Sequence, residues 1–158
     1  MRIVELHKAF ISAMHTELPD WRFVASRRHF KKSFPNGLWY AHFSFINHAD
    51  DFDVTCDVSV EFMKARKRAC IVGANLGNIE GVGQVRYSVN SPESAVLAAS
   101  EARDHIDRIG LPFLQKYSDP AEVLRCLRAG GPEARLISPI MQIHEQQIQV
   151  LEVLCGAV

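Results

Sequence analysis

The sequence predicts a two-layer α+β domain, in which an antiparallel sheet of about four strands carries an N-terminal helix and C-terminal helices on one face. Three patterns predict it: helical spacing of apolar residues at the start, apolar-polar alternation in the middle, and proline-headed helical segments at the end. With 158 residues, 47% of them hydrophobic, the chain is long enough to bury one core. We therefore expect a single domain over residues 1–158, with a helix over 1–18, the sheet and a glycine-rich loop over 21–89, and helices over 92–156.

The charge balance argues against a partner that is attracted by overall charge. Lys plus Arg and Asp plus Glu each number 18, so no global field favours nucleic acid or an anionic membrane. Charged residues interrupt the first 18 positions, which argues against a secretory signal. No run approaches the roughly twenty apolar residues of a membrane helix. We expect a cytoplasmic protein without a membrane partner.

The first helix is predicted from apolar residues spaced three and four apart. This stripe consists of Val4, His7, Ile11, Met14 and Leu18, and Pro19 ends the helix. His7 lies on the stripe, where a histidine is typically a hydrogen-bonded core residue rather than a ligand or a catalyst.

The strands are predicted from alternation with period two, which places successive side chains on opposite faces. The extended segment Trp21 to Phe34 leads into the turn Pro35-Asn36-Gly37, and the alternating segment Trp39 to Phe45 follows. Phe52 to Phe62 is the clearest strand, with apolar residues at every even position. Short connections between the three favour an antiparallel meander.

Beyond this meander the pattern weakens. Residues 64–83 have no assigned structure, although 69–72 resembles the end of a strand and 73–83 is rich in glycine. Alternation returns briefly, and we place a fourth strand at 84–89 without a defined register.

Three C-terminal helices are predicted from a capping residue followed by proline, which lacks the N–H that a cap would otherwise satisfy. The pairs are Ser91 with Pro92, Asp119 with Pro120, and Ser138 with Pro139. Glycines suited to a left-handed cap follow the helices at Gly110, Gly130, Gly131 and Gly156. The last helix has a broken apolar stripe with Gln147 in its middle, and it packs either on the rest of the fold or on a second copy.

The four cysteines are predicted to be buried and reduced. Cys56, Cys70, Cys126 and Cys155 are far apart and form no C-x-x-C pair, so neither a zinc ribbon nor a redox-active dithiol is indicated. Two disulfides remain open on count alone, but a thiol in an apolar context packs as a small hydrophobe.

No catalytic or metal-binding motif is complete. The glycine cluster at 73–83 lacks the Gly-Lys-Ser/Thr of a P-loop and the third glycine of a dinucleotide fingerprint. His144 and Glu145 begin like a zinc-protease helix, but Ile148 stands where the second histidine is needed. We therefore assign no catalytic residue, no metal ligand and no cofactor.

Polar residues on the three central strands form a candidate surface for binding a protein partner. In chain order they are Arg27, His29, Lys31, Tyr40, His42, Asp53, Asp57 and Glu61. On a shared helix-free face they present a basic edge, an aromatic and histidine centre and an acidic edge. The plain alternative is a solvated face whose cross-strand pairs each contribute roughly 0.2–1 kcal/mol. The functional interpretation is a surface whose opposite charges orient the partner.

A resemblance adds a class of role. The N-terminal helix, the segment Arg28-His29-Phe30-Lys31-Lys32 and the runs Ile109 to Leu114 and Ser118 to Glu122 resemble small bacterial α+β domains, some of them associated with toxin immunity. The similarity covers roughly residues 1–130 and includes no catalytic residue. It implies a non-enzymatic protein that covers the active surface of a toxin or another effector.

Three other interpretations stay open. A small hydrolase or transferase would use a pocket between sheet and helices, with His29 or His42 beside an aspartate of the third strand. A nucleic-acid module would use the basic run 27–32 with Phe30 and Phe34 as stacking planes, but the balanced charge makes nucleic acid the less favoured partner. A structural homodimer would form through the C-terminal helix.

Overall fold

The computed structural model describes residues 2–156 and has the predicted α+β architecture of an N-terminal helix, an antiparallel sheet and C-terminal helices. The strands are β1 (Arg22–Val24), β2 (His29–Phe34), β3 (Gly37–Asn47), β4 (Phe52–Lys64), β5 (Lys67–Asn75) and β6 (Tyr87–Val89). The helices are α1 (Ile3–Glu17), α2 (Leu76–Glu80), α3 (Pro92–His105), α4 (Leu111–Lys116), α5 (Pro120–Ala129), α6 (Gly131–Ile137) and α7 (His144–Leu154). A π-helical turn, Ile106–Gly110, joins α3 to α4. Within the described residues, no helix combines the length and apolar character needed to cross a membrane.

The sheet runs in the order β1-β2-β3-β4-β5, with every neighbouring pair antiparallel. Strand β4 is the central and longest strand, and β3 pairs with it along residues 52–62. On its other side, β5 pairs with residues 57–64 and β6 with residues 52–54. Consecutive strands therefore pair in the meander that the short connections predicted.

The core lies between α1, α3 and the apolar face of the sheet. The even-numbered residues of β4 from Phe52 to Phe62 are all at most 1% exposed, which confirms the alternation. On α1 the buried residues are Leu6, Phe10 and Met14, and Phe10 packs against aromatic rings of β3 and β4. The predicted stripe was wrong at Val4, which is 55% exposed, because the buried face is turned towards Leu6.

The number of strands exceeds the prediction of about four, for two reasons. The segment from Trp21 to Phe34 forms two strands, because the 3₁₀ turn Ala25–Arg27 and a left-handed Arg28 reverse the chain between them. Strand β5 was anticipated only as a strand end at 69–72 and was not counted among the predicted strands, because its turn from β4 uses Ala65 and Arg66 at positive φ. Hairpin turns of this kind normally carry asparagine and glycine, so the sequence gives no turn signal there.

The C-terminal helices confirm two of the three predicted starts. Ser91 accepts a hydrogen bond from the backbone of Ser94, and Asp119 accepts one from Ala121. Gly110 does not end a helix, because the π-helical turn carries the chain onward into α4. The start predicted at Ser138 and Pro139 is also wrong, since α7 begins at His144.

The cysteines follow the prediction in part. Cys56, Cys70 and Cys126 are buried free thiols, whereas Cys155 is exposed. Burial raises the pKa of the Cys56 thiol well above its ordinary value, which keeps it a neutral core residue.

Candidate functional site

The face of the sheet opposite α1 carries a row of polar side chains that crosses four strands. His29 lies opposite His42, His42 opposite Asp57, and Asp57 opposite Asn75. Directly opposed residues place their Cβ atoms about 4.5–5.5 Å apart, so these four side chains form a continuous line, which we call the polar row. The predicted residues His29, His42 and Asp57 are thus brought together by the strand register.

Asp57 is the exposed acid of the polar row, and Asn75 holds it in place. The Asn75 side-chain oxygen caps α2 by accepting the Gly77 N–H at 2.9 Å, which turns its amide nitrogen towards Asp57, 3.1 Å away. No basic side chain of the described residues lies within salt-bridge distance of Asp57. The carboxylate is therefore oriented by the fold and remains open to a ligand.

His29 is the histidine of the row whose surroundings favour the neutral ring. Burial lowers the pKa of His29, and the neighbouring His42, Arg27 and Lys31 lower it further. The His29 ring lies 4.6 Å from the ring of Tyr40 and 6.4 Å from that of His42. A neutral imidazole offers one hydrogen-bond donor and one acceptor.

Tyr40 and Glu61 form a closed pair beside the polar row. The Tyr40 hydroxyl donates to Glu61 at 2.9 Å, and Arg68 pairs with the other carboxylate oxygen. Burial and this hydrogen bond raise the pKa of Tyr40 to about 12. Glu61 is only 4% exposed, so it does not belong to an exposed acidic edge, as the alternation predicted, but holds Tyr40.

Of the remaining candidates, Asp53 and Arg27 lie apart from the polar row, and Lys31 lies next to it. Asp53 is four residues from Asp57, about 13 Å along the strand, and hydrogen bonds from Ser88 and His48 lower the pKa of its carboxyl. Arg27 is exposed in the 3₁₀ turn and not on a strand. Only Lys31 joins the row closely, since it lies opposite Tyr40 on the next rung.

A groove of about 860 Å³ opens beside the polar row, and we call it the sheet groove. Its floor includes His42, Asp57 and Ser59, and its wall is the segment 132–147, which passes along β5. The rim of this wall is apolar and solvent-facing, because Ile140 and Ile143, which line the groove, are 58% and 37% exposed. We call the segment Ile140 to Ile143 the ledge.

A buried polar clasp fixes the ledge against the edge of β5. The Gln147 amide donates to the Ile71 carbonyl oxygen at 3.2 Å and accepts from the Ser138 hydroxyl at 2.7 Å. Ser138 is engaged in this way and does not cap a helix, which explains why the predicted start failed. The polar Gln147 within an apolar stripe was the one sequence signal for this clasp.

The packing of α7 against the rest of the fold buries part of its apolar stripe. Leu151 is fully buried within the chain, and α7 contacts α5 and β5. Ile140 and Ile143 of the predicted stripe are 58% and 37% exposed, so a homodimer through the C-terminal helix stays a prediction.

The side chains that line the sheet groove offer hydrogen-bond donors and acceptors. Within residues 2–156, no group of three histidine, cysteine or acidic residues is arranged to hold a metal ion. His42 lines the groove with Asp57 and Ser59, but the described residues include no hydrogen bond from His42 to either. The nucleophile and base of a serine hydrolase lie about 2.6–3.2 Å apart, and often further apart without substrate.

The basic run of β2 does not present stacking aromatics. Phe30 is fully buried, and Phe34 stacks on Trp39 with ring centroids 6.0 Å apart. The aromatic rings on which the bases of a single-stranded nucleic acid would stack are therefore packed within the protein.

Comparison with known proteins finds no matching protein family, no matching curated protein and no matching solved structure. The geometry of the polar row and the ledge is therefore the basis for assigning a function.

Proposed function

We propose that this is a non-enzymatic binding protein that recognises a partner protein with the polar row and the ledge. The observation that carries the proposal is that an oriented, unpaired carboxylate and an exposed apolar segment face the same groove of about 860 Å³. Protein interfaces combine an apolar centre with a polar rim. Ile140 and Ile143 would supply the apolar centre, and the polar row would supply the polar rim.

The partner that fits is a chain segment with an apolar side chain for the ledge and donors for Asp57. Lys31 and Asp57 lie on neighbouring rungs of the sheet, and opposite charges so placed fix the direction in which a polar segment docks. Tyr40 adds a rigid aromatic ring held by Glu61, and tyrosine is enriched among residues that dominate binding energy.

The class of role that we propose is immunity, in which the protein neutralises a bacterial toxin or effector in the cytoplasm by covering its active surface. The resemblance of residues 1–130 to small α+β domains supports this role.

Site-specific photo-crosslinking in the native host tests the proposal. A benzophenone side chain at position 140 is expected to form an adduct with one partner protein, and Asp57→Asn in the same chain is expected to lower the yield of that adduct. The matched control places the benzophenone at Leu97, which is 64% exposed on α3. Equal adducts from positions 97 and 140, or none from position 140, would contradict the assignment of the surface.

A second candidate is an enzyme that uses His42 as a general base. It is favoured by one observation, namely that His42 and Asp57 are cross-strand neighbours in the same groove. In that case His42→Gln abolishes turnover of a small-molecule substrate and leaves the adduct at position 140 unchanged.

A further inference from the structure

A second groove, of about 440 Å³, lies on the opposite side of the sheet between α1 and the β1-β2 connection. We call it the helix groove. Residues that line it include Lys8, Ile11, His15, Phe23, Arg28 and Phe45. None of the candidate residues of the polar row contributes to it, so it is independent of the proposed function.

The floor of the helix groove is apolar and held by aromatic packing. The Phe45 ring packs 4.7 Å from that of Phe52, and the Phe23 ring 4.8 Å from that of Phe30. Both Phe45 and Phe23 are half-buried, so each has part of its surface facing the groove. A preformed apolar surface of this kind binds an aliphatic chain without having to reorganise.

The rim of the helix groove is cationic. The Arg28 guanidinium lies over the Phe45 ring, 4.3 Å from its centroid, and Lys8 projects from α1 beside the same groove. No acidic residue is among those that line it. Within the described part of the chain, neither cation has a carboxylate at salt-bridge distance.

An apolar floor beneath two unpaired cations fits a ligand with one anionic group and one aliphatic chain. We propose that the helix groove binds a medium-chain aliphatic monocarboxylate, with the carboxylate between Lys8 and Arg28 and the chain along Ile11, Phe23 and Phe45. Arginine and lysine bind carboxylates by charge-assisted hydrogen bonds. The volume falls within the range of about 300–1,000 Å³ that is usual for small-molecule sites.

Titration of the full chain with sodium octanoate, followed by amide chemical shifts in NMR spectra, tests this site. Saturable shifts are expected at Ile11, Phe23 and Phe45, at octanoate concentrations below those that form micelles. Octanol and octylammonium are expected to bind about tenfold more weakly, because the hydrogen bonds to a charged carboxylate are lost.

A double variant, Lys8→Gln with Arg28→Gln, provides a second test of the proposed carboxylate site. Both residues are exposed, so the fold is expected to be retained, and octanoate affinity is expected to fall about tenfold or more. Lys64→Gln, at the far end of β4, is the matched control and should leave the affinity unchanged. Equal binding of octanoate, octanol and octylammonium, wild-type affinity in the double variant, or no saturable shift would each overturn the proposal.

Discussion

Replacement of Gly77 by alanine is expected to lower the free energy of unfolding by about 1–3 kcal/mol, the usual cost of overpacking. Helix propensity alone gives the opposite sign, since alanine is favoured over glycine in a helix by about 1 kcal/mol. The structure reverses this because a Cβ at position 77 would lie 1.8 Å from the Gly83 carbonyl oxygen and 2.8 Å from the Val85 nitrogen. Both are backbone atoms, which cannot rotate away as a flexible side chain would. Urea unfolding followed by circular dichroism measures the difference.

The matched control for this prediction is Asn78→Ala. Asn78 is exposed on the same short helix, and a surface substitution is expected to stay within about 0.5 kcal/mol. A Gly77→Ala variant as stable as the wild type would show that residues 83–85 do not cross α2.

Replacement of His105 by alanine is expected to destabilise the fold by about 2–5 kcal/mol, which combines a cavity with a broken hydrogen-bond network. His105 is 5% exposed and connects three elements. Its Nδ1 lies 2.7 Å from the Tyr87 hydroxyl on β6, and its Nε2 lies 2.9 Å from the Glu80 carboxylate on α2. Without the ring, the Tyr87 hydroxyl is left buried and unsatisfied. Equilibrium unfolding in urea provides the measurement.

Two companion variants separate the causes. His48→Ala removes an exposed histidine that pairs with Asp53 at 3.3 Å, and its cost is expected to stay below about 1 kcal/mol. Tyr87→Phe keeps the ring and removes only the hydroxyl, so its cost should lie between those of the two histidine variants. If His105→Ala costs no more than His48→Ala, the buried chain of hydrogen bonds does not hold α2 and β6 to α3.

The strands that could be predicted are those with one face buried in the core and the other exposed to solvent. Strand β4 met that condition at most positions from Phe52 to Phe62, with Thr55 and Glu61 buried on its polar face, and was predicted correctly. Strand β5 did not meet this condition, because Asn75 on its polar side is also buried. In addition, the turn before it consists of Ala65 and Arg66, which are not typical turn residues. Alternation in the sequence identifies a strand that is buried on one face and exposed on the other. It does not identify a strand that is packed on both faces.

The pairing of His29 with His42 in the candidate site could be predicted from the sequence. The two-residue turn after Phe34 places Phe34 opposite Gly37, and hence His29 opposite His42. The register of β5 was out of reach, because it shifts at an irregularity between Phe62 and Met63. The meeting of Asn75 with Asp57 depends on that shift and appears only in three dimensions.

The ledge was missed for a different reason. Pro139 follows a serine, which is a normal helix start, but the Ser138 hydroxyl is drawn into the clasp with Gln147. A tertiary hydrogen bond thus overrides a local capping signal, and the segment Ile140 to Ile143 is left as an exposed apolar rim.

The central claim is that the polar row and the ledge form one recognition surface. Its most direct test is to purify the partner captured through position 140 and to measure the affinity of that partner for surface variants of the protein. Asp57→Asn and Ile140→Ser are each expected to weaken binding about tenfold or more in calorimetric titration, whereas Leu97→Ser should bind as the wild type does. Wild-type affinity in both Asp57→Asn and Ile140→Ser, or a larger loss in Leu97→Ser, would contradict the claim.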